Sequence, residues 1–229
     1  MRTYVVGDIH GAAKALEQVL GRAGFDRDRD RLICLGDICD GWPDVQAAFN
    51  ILLSLKHLVY LLGNHDFWAL QWMKTGASPP LWLPQGGKAT IKSYHDVPVP
   101  EAHIELLASA FPYFIEGNNC FVHGGFDPSK PLSEHTLEEL LWDRTLVSRA
   151  MNLIDQDNIS ALTPFSEVFI GHTPTLNYGF DRPIHIFELW MMDTGAGWQG
   201  RLSMIDIATF DIYQSDPVPT LYPKERGRF

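Results

Sequence analysis

Cysteine is scarce in this chain, three residues in 229. Cys34, Cys39 and Cys120 include no Cys-x-x-Cys pair, and their number is odd. A disulfide framework is therefore not expected, and a reducing cytoplasmic setting fits best. Long apolar runs are missing too; none approaches the roughly 20 residues that cross a bilayer. The opening MRTYVVGDIHG has neither a hydrophobic signal core nor a small-residue cleavage site, so no membrane partner is expected. Positive charge is in short supply, with 18 Lys and Arg against 28 Asp and Glu and a formal net charge of −10. Such a chain repels nucleic-acid backbones at long range, which argues against extended nucleic acid as a partner. There is no internal repeat and no low-complexity linker.

What is present suits one compact fold. Hydrophobic residues make up 45% and aromatics 12%, enough for a sizeable core in a single domain over residues 1–229. Strand signals at Thr3–Val6, Leu32–Leu35 and Leu58–Leu62 alternate with helical patterns. One helix follows Ala12, Ala15, Leu16, Val19, Leu20 and Ala23; another runs from Pro43 to about Leu55. This order implies parallel strands with crossover helices. Ala77–Gly87, rich in proline and glycine, reads as a loop, within a possible lid or insertion at about residues 74–100. Further helices are expected over Ile104–Ala110 and from a capping box at Thr136–Glu139 toward Trp142. Tyr113–Glu116 and Cys120–His123 read as a hairpin. Val168–Ile170, Ile184–Phe187, Trp190–Asp193, Leu202–Ile207 and Phe210–Tyr213 read as strands, with antiparallel pairing favoured there. The whole predicts an α/β fold, mixed α+β in character: two packed mixed sheets flanked by helices.

The chemistry clusters at strand ends. Tyr4-Val-Val runs into Gly7-Asp8-Ile9-His10-Gly11, Ile33-Cys-Leu into Gly36-Asp37-Ile38-Cys39-Asp40-Gly41, and Tyr60-Leu-Leu into Gly63-Asn64-His65-Asp66. In a parallel sheet these turns share the carboxyl edge, where α/β sites form. His123 and His172 also directly follow apolar runs. Asp8, His10, Asp37, Asn64, His123 and His172 combine hard oxygens with imidazole, a set suited to a pair of divalent metals such as manganese, iron or zinc. Asp37 is the natural bridge, because a carboxylate has two oxygens. Paired ions can generate a hydroxide between them and clamp both oxygens of an in-line displacement. A lone Gly-Asp or Gly-His after a strand is usually only a turn. Five such turns, each carrying a ligand-type residue, are hard to reach by chance.

These motifs, GDIHG, GDICDG, GNHD, HGG and GHT, resemble those of the calcineurin-like metallophosphoesterases, particularly the phosphoprotein-phosphatase branch. The resemblance implies a sandwich of two mixed sheets and a metal-dependent phosphoesterase acting through a metal-bridging hydroxide. It implies that Asp8 and His10 hold the first metal, Asp37 bridges, and Asn64, His123 and His172 hold the second, with manganese the favoured metal. His65 matches the histidine that protonates the leaving oxygen, and Asp40 its carboxylate partner; Arg144 resembles an arginine that clamps the phosphate. A departure stands at Gly41, where the family pattern GDxxDRG carries an arginine that normally makes a second phosphate contact. Lys88 is a candidate to supply that charge. Trp82–Thr90 resembles a segment of bacterial members that include symmetrical dinucleoside tetraphosphatases, with Gln85 replacing asparagine.

The expected substrates are phosphomonoesters, on a phosphorylated protein or a small molecule, with dinucleoside tetraphosphate the alternative within the same chemistry. A non-catalytic scaffold is the remote reading, since degenerate members would be expected to lose ligands. Trp42 could stack on an aromatic ring or pack internally. His57, His95, His103, His135 and His185 lack the strand-end context and read as surface or packing residues.

Overall fold

The computed structural model describes residues 1–95, 97–154 and 161–228; of the segment 74–100, only Asp96 lies outside them. The first half runs β1 (Thr3–Val6), α1 (Ala13–Arg22), β2 (Arg31–Cys34), α2 (Val45–Leu53), β3 (His57–Tyr60), α3 (Asn64–Thr75), α4 (Gly87–Ser93) and α5 (Glu101–Ala108). The second half runs β4 (Tyr113–Glu116), β5 (Asn119–Val122), α6 (Leu137–Trp142), α7 (Thr145–Ile154), β6 (Glu167–Ile170), β7 (Ile184–Ile186), β8 (Leu189–Met191), β9 (Ser203–Asp206), β10 (Ile212–Gln214) and α8 (Val218–Leu221).

The strands form two five-stranded mixed sheets, in the orders β10-β9-β1-β2-β3 and β4-β5-β6-β8-β7. In the first sheet β1, β2 and β3 are parallel, while β9 runs antiparallel to β1. In the second, β5, β6 and β8 are parallel, and β4 and β7 are antiparallel edges. The predicted sandwich is what the chain forms.

Alternation along each strand explains the layering, because successive side chains point to opposite faces. Val5, Ile33, Phe121, Phe169 and Trp190 face inward and fill the space between the sheets. Tyr4, Val6, Leu32 and Cys34 face outward, against Leu16 and Val19 of α1 and Val45 and Phe49 of α2. Val122, Val168 and Ile170 do the same beneath Leu146, Val147 and Ala150 of α7. The inter-sheet layer is an aromatic stack: Phe121 on Phe169 at 5.1 Å, Phe169 on Trp190 at 6.2 Å, and Trp190 on Phe210 at 5.4 Å, all within 9° of parallel.

Several boundaries differ from the sequence reading. The strand after α2 ends at Tyr60 rather than Leu62, because Leu61 leaves the ladder to bridge Phe111. α2 begins at Val45, not Pro43, since Trp42 turns back to donate its N–H to His10 O at 2.9 Å. The stretch around Pro79–Gly87 is not a free loop. Trp82 is fully buried against Trp72, and α4 follows directly. α7 was not foreseen, and the last third is not purely antiparallel, because β8 lies parallel to β6.

Phe169 sits at the middle of the inter-sheet stack. Phe169→Ala is expected to cost about 3–5 kcal/mol of unfolding free energy, the usual range for a truncated core aromatic. Urea unfolding monitored by circular dichroism reads this directly; a loss below about 1 kcal/mol would mean the sheets do not depend on that contact.

Candidate metal centre and active site

Every predicted ligand lies just beyond the carboxyl end of a parallel strand. Asp8 and His10 follow β1, Asp37 follows β2, Asn64 opens α3 after β3, His123 follows β5, and His172 follows β6. The two sheets present these ends to one another, and none of the six side chains' residues is more than 7% exposed. Their turns are strained. Of six non-glycine residues with positive φ among the described residues, four are His10, Asp37, Asp40 and His172. That conformation costs roughly 1–3 kcal/mol per residue and persists only where surrounding bonds enforce it. Here Ile9 and His10 both donate their N–H to Asp37 O, at 3.0 and 2.8 Å.

The donors fall into two groups. Asp8, His10 and Asp37 bring one ligand atom each to within 4.8 Å of one another. In the second group, Asn64 Oδ1 lies 2.9 Å from both His123 Nε2 and His172 Nδ1. Asp37 joins the two: its Oδ2 is 3.7 Å from His10 Nε2 and 3.5 Å from His123 Nε2. Its Oδ1 accepts the His65 N–H at 2.9 Å, while Oδ2 faces both groups.

The tautomers are set from behind. His10 Nδ1 meets Cys39 O at 2.9 Å and His123 Nδ1 meets Leu35 O at 2.8 Å, so each Nδ1 donates and each Nε2 is left facing the cluster. A lone pair on His123 Nε2 pointing at the Asn64 oxygen is repulsive unless a cation or proton lies between them. The donor set therefore fits divalent cations. Burial lowers the His123 pKa, yet Asp37 and Asp8 outweigh it and raise it to about 9. Burial and Asp193 push the Asp8 carboxyl well above its ordinary range. Burial likewise raises Asp193 to about 6, and its Oδ2 has no partner among the described residues.

Beside this cluster His65 Nδ1 lies 2.5 Å from Asp40 Oδ2. Asp40 is itself clamped by Trp82 Nε1 at 2.7 Å and Thr90 Oγ1 at 2.7 Å. Asp66 acts as a keystone for the second motif. Its carboxylate accepts the N–H groups of Asp37, Ile38, Cys39 and Gly63 and the Tyr60 hydroxyl, at 2.7 to 3.2 Å. His65 and His172 open onto a cleft of about 570 Å³ whose walls include Trp68, Trp142, Trp198, Arg144 and Arg228.

Residues 1–204 match the sequence profile described as calcineurin-like phosphoesterase. The chain belongs to that family. It is a hydrolase acting on phosphate esters. This phosphoesterase is 26% identical to serine/threonine-protein phosphatase 1 of Salmonella typhimurium, over 89% of this chain and 91% of the relative. It is 41% identical to a symmetrical bis(5'-nucleosyl)-tetraphosphatase of Pseudomonas fluorescens, over 97% of this chain and 98% of the relative. Its fold resembles the crystal structure of a candidate diadenosine tetraphosphatase, with a TM-score of 0.68 at 20% identity, covering 94% and 93% of the two chains.

The fold brings all six expected ligands together, with His65 and Asp40 beside them and the exposed Arg144 on the cleft wall. Lys88 is exposed and does not line the cleft, so it is not the charge that answers Gly41. Trp42 is internal: its Nε1 donates to Ala196 O at 2.6 Å and its ring stacks on Tyr222. Sequence reasoning missed Asp66, Trp198 and Arg228, of which only Asp66 carried a signal, the last letter of GNHD. Asp193, opening Asp193-Thr-Gly-Ala-Gly197 after a strand, reads from the sequence as a residue bordering the site or as part of a Gly-rich turn.

Two tests follow from this packing. A Cβ on Gly63 would stand 2.0 Å from Asp37 Oδ1, so Gly63→Ala must displace the shared carboxylate. Loss of at least one bound metal per chain by elemental analysis is expected; full occupancy would refute the close approach. The second is pH dependence. Asp193 and Asp8 have raised folded pKa values, so their stabilising contribution is full below about pH 4; that of Asp193 is lost as pH rises through about 6, and that of Asp8 as pH rises through its own raised value. A divalent cation bound there would take the place of the proton. Added Mn2+ should therefore raise Tm more at about pH 7.5 than at about pH 5.5, and equal shifts would contradict this.

Proposed function

We propose that this phosphoesterase hydrolyses phosphomonoesters, on phosphoserine or phosphothreonine side chains or on small molecules, with two divalent cations. Manganese is the preferred pair, with iron or zinc as alternatives, because mixed carboxylate, amide and imidazole donors suit such ions. Asp8, His10 and Asp37 would hold the first cation; Asp37, Asn64, His123 and His172 would hold the second. The observation that carries this reading is the single Asp37 oxygen set 3.7 and 3.5 Å from the histidines of the two groups. When bound, such a pair lowers the pKa of water and neutralises charge in an in-line displacement.

The chain's own residues would do the rest. His65 protonates the leaving oxygen from Nε2, held in orientation by Asp40 at Nδ1. Trp82 and Thr90 fix Asp40, and so act as positioning residues. Arg144, on the cleft wall, offers a planar fork to two phosphate oxygens. Three buried free cysteines support a reducing cytoplasmic location. Neither extended nucleic acid nor a membrane is a proposed partner; no helix among the described residues is long and apolar enough to cross a bilayer.

A second reading, hydrolysis of dinucleoside tetraphosphates, is supported by Trp68, Trp142 and Trp198 around the cleft, which offer stacking faces to a base. A substrate panel on Mn2+-loaded protein separates the two. Higher kcat/KM for a phosphoserine peptide and p-nitrophenyl phosphate than for diadenosine tetraphosphate supports the first reading. The reverse order selects the second, and no turnover of any of them sinks both. His65→Ala should keep both metals but lower kcat about 100-fold on a phosphopeptide and much less on p-nitrophenyl phosphate, whose leaving group needs little protonation. Equal losses would remove the proton-donor role.

A further inference from the structure

We propose that Arg228 is a phosphate-binding residue of this site, threaded from the segment after α8 into the space that Gly41 leaves open. The proposal rests on the reading of the cleft as a phosphoesterase site and assigns that site a second substrate clamp opposite Arg144.

The path of the side chain is built for it. Arg228 Cγ lies 3.4 Å from where a Cβ on Gly41 would stand and 3.1 Å from the corresponding point on Gly86. The arginine stem thus runs along a groove between two glycines. Its backbone is pinned, with Arg228 N–H donating to Gly197 O at 2.7 Å. Gly227 fits beneath it with room for no side chain, since a Cβ there would meet Gly197 O at 2.4 Å and Trp42 at 2.8 Å. The guanidinium lies over the Trp198 ring, 4.2 Å from its centroid. Nε donates to Gln85 O at 3.1 Å and Nη1 donates to His10 Nε2 at 3.0 Å.

Charge explains why an arginine sits there. Both hydrogen bonds go to neutral acceptors, so the buried charge of the fork is not consumed by a carboxylate partner. Burial lowers the Arg228 pKa, and Asp37, Asp193, Asp40 and Asp8 oppose that through space. His10 Nε2 is also a nitrogen that would hold the first cation. Loading that cation would release Nη1, while Gln85 O and the Trp198 ring would keep the guanidinium at the cleft. A planar fork with free N–H groups facing a cleft recognises an anion with paired oxygens, and phosphate matches it. The cleft, which both side chains line, would then hold its substrate phosphate between Arg144 and Arg228.

The test uses full-length, Mn2+-loaded Arg228→Ala and Arg228→Lys, with Arg228→Lys preserving charge if the alanine variant folds poorly. Three quantities are read: KM and kcat on p-nitrophenyl phosphate, the inhibition constant of inorganic phosphate, and metal content. For Arg228→Ala, KM and the phosphate inhibition constant should rise together about tenfold, with both metals retained. Arg228→Lys should recover only part of that loss, because a point charge lacks the fork. Unchanged KM and phosphate inhibition would overturn the proposal. So would tighter phosphate binding in Arg228→Ala, which would mark the arginine as an obstruction, or loss of metal, which would mark it as a support for His10. Wild-type protein that neither hydrolyses p-nitrophenyl phosphate nor binds inorganic phosphate would instead refute the phosphoesterase reading beneath it.

Discussion

Five carboxylates, Asp8, Asp37, Asp40, Asp66 and Asp193, are packed into one dry region, and none is more than 2% exposed. Burying one ionised carboxylate without partners costs several kcal/mol, so five together are tolerable only if each is answered. The answers differ. Asp66 takes five hydrogen bonds from its own and a neighbouring turn. Asp40 takes an indole, a hydroxyl and an imidazole. Asp8 and Asp37 face imidazole nitrogens at 3.5 to 4.0 Å; a proton that His123 keeps up to about pH 9 answers Asp37, and a divalent cation would take that place. That division separates carboxylates satisfied by fixed hydrogen bonds from those that face the candidate metal site.

The same requirement shapes the backbone. Donors from both sheets must meet within a few ångströms, yet the sheets are held apart by the Phe121, Phe169 and Trp190 layer. The turns close that gap by adopting positive φ at His10, Asp37 and His172 and by omitting side chains at Gly63 and Gly171. A Cβ on Gly171 would sit 2.2 Å from Asp8 Oδ1, as one on Gly63 would from Asp37 at 2.0 Å. Strain at the ligands and rigidity in the aromatic layer are thus linked: the stiff sandwich supplies the restraint that keeps costly turn conformations in place.

This linkage explains what could be read from the chain before its structure. The candidate ligands sit within one to four residues of apolar strand runs, so local pattern and turn chemistry reveal them together. β1, β2, the hairpin strands and α1 were legible for the same reason. Trp82 and Thr90 were not, because their role depends on meeting Asp40 across about 40 to 50 residues of sequence. Proline and glycine near Trp82 pointed to a loop, and tertiary burial of the indole overrode that signal. Arg228 lies 218 residues from the histidine it touches, and nothing in its surroundings in the sequence marks it. That one Asp37 oxygen faces both groups was not legible, because the other oxygen's partner, the His65 N–H, is a backbone group with no sequence signature.

A division of labour follows from where the groups come from. The cation-binding donors are all fixed to strand ends, where a shift of one residue would move every side chain to the wrong face. The groups that would meet the rest of the substrate come from elsewhere: Gln85 before α4, Arg144 between α6 and α7, Trp198 after β8, and Arg228 after α8. Phosphomonoester and dinucleoside tetraphosphate hydrolysis would require the same strand-end donors and differ only in how much anion and aromatic surface the walls accommodate. The hydrolytic capacity is therefore set by the sheets, and the choice of substrate by the segments between and after them. A chain this acidic concentrates two arginines on the wall of one cleft, and the location of that positive charge says more about its substrate than its net charge of −10 does.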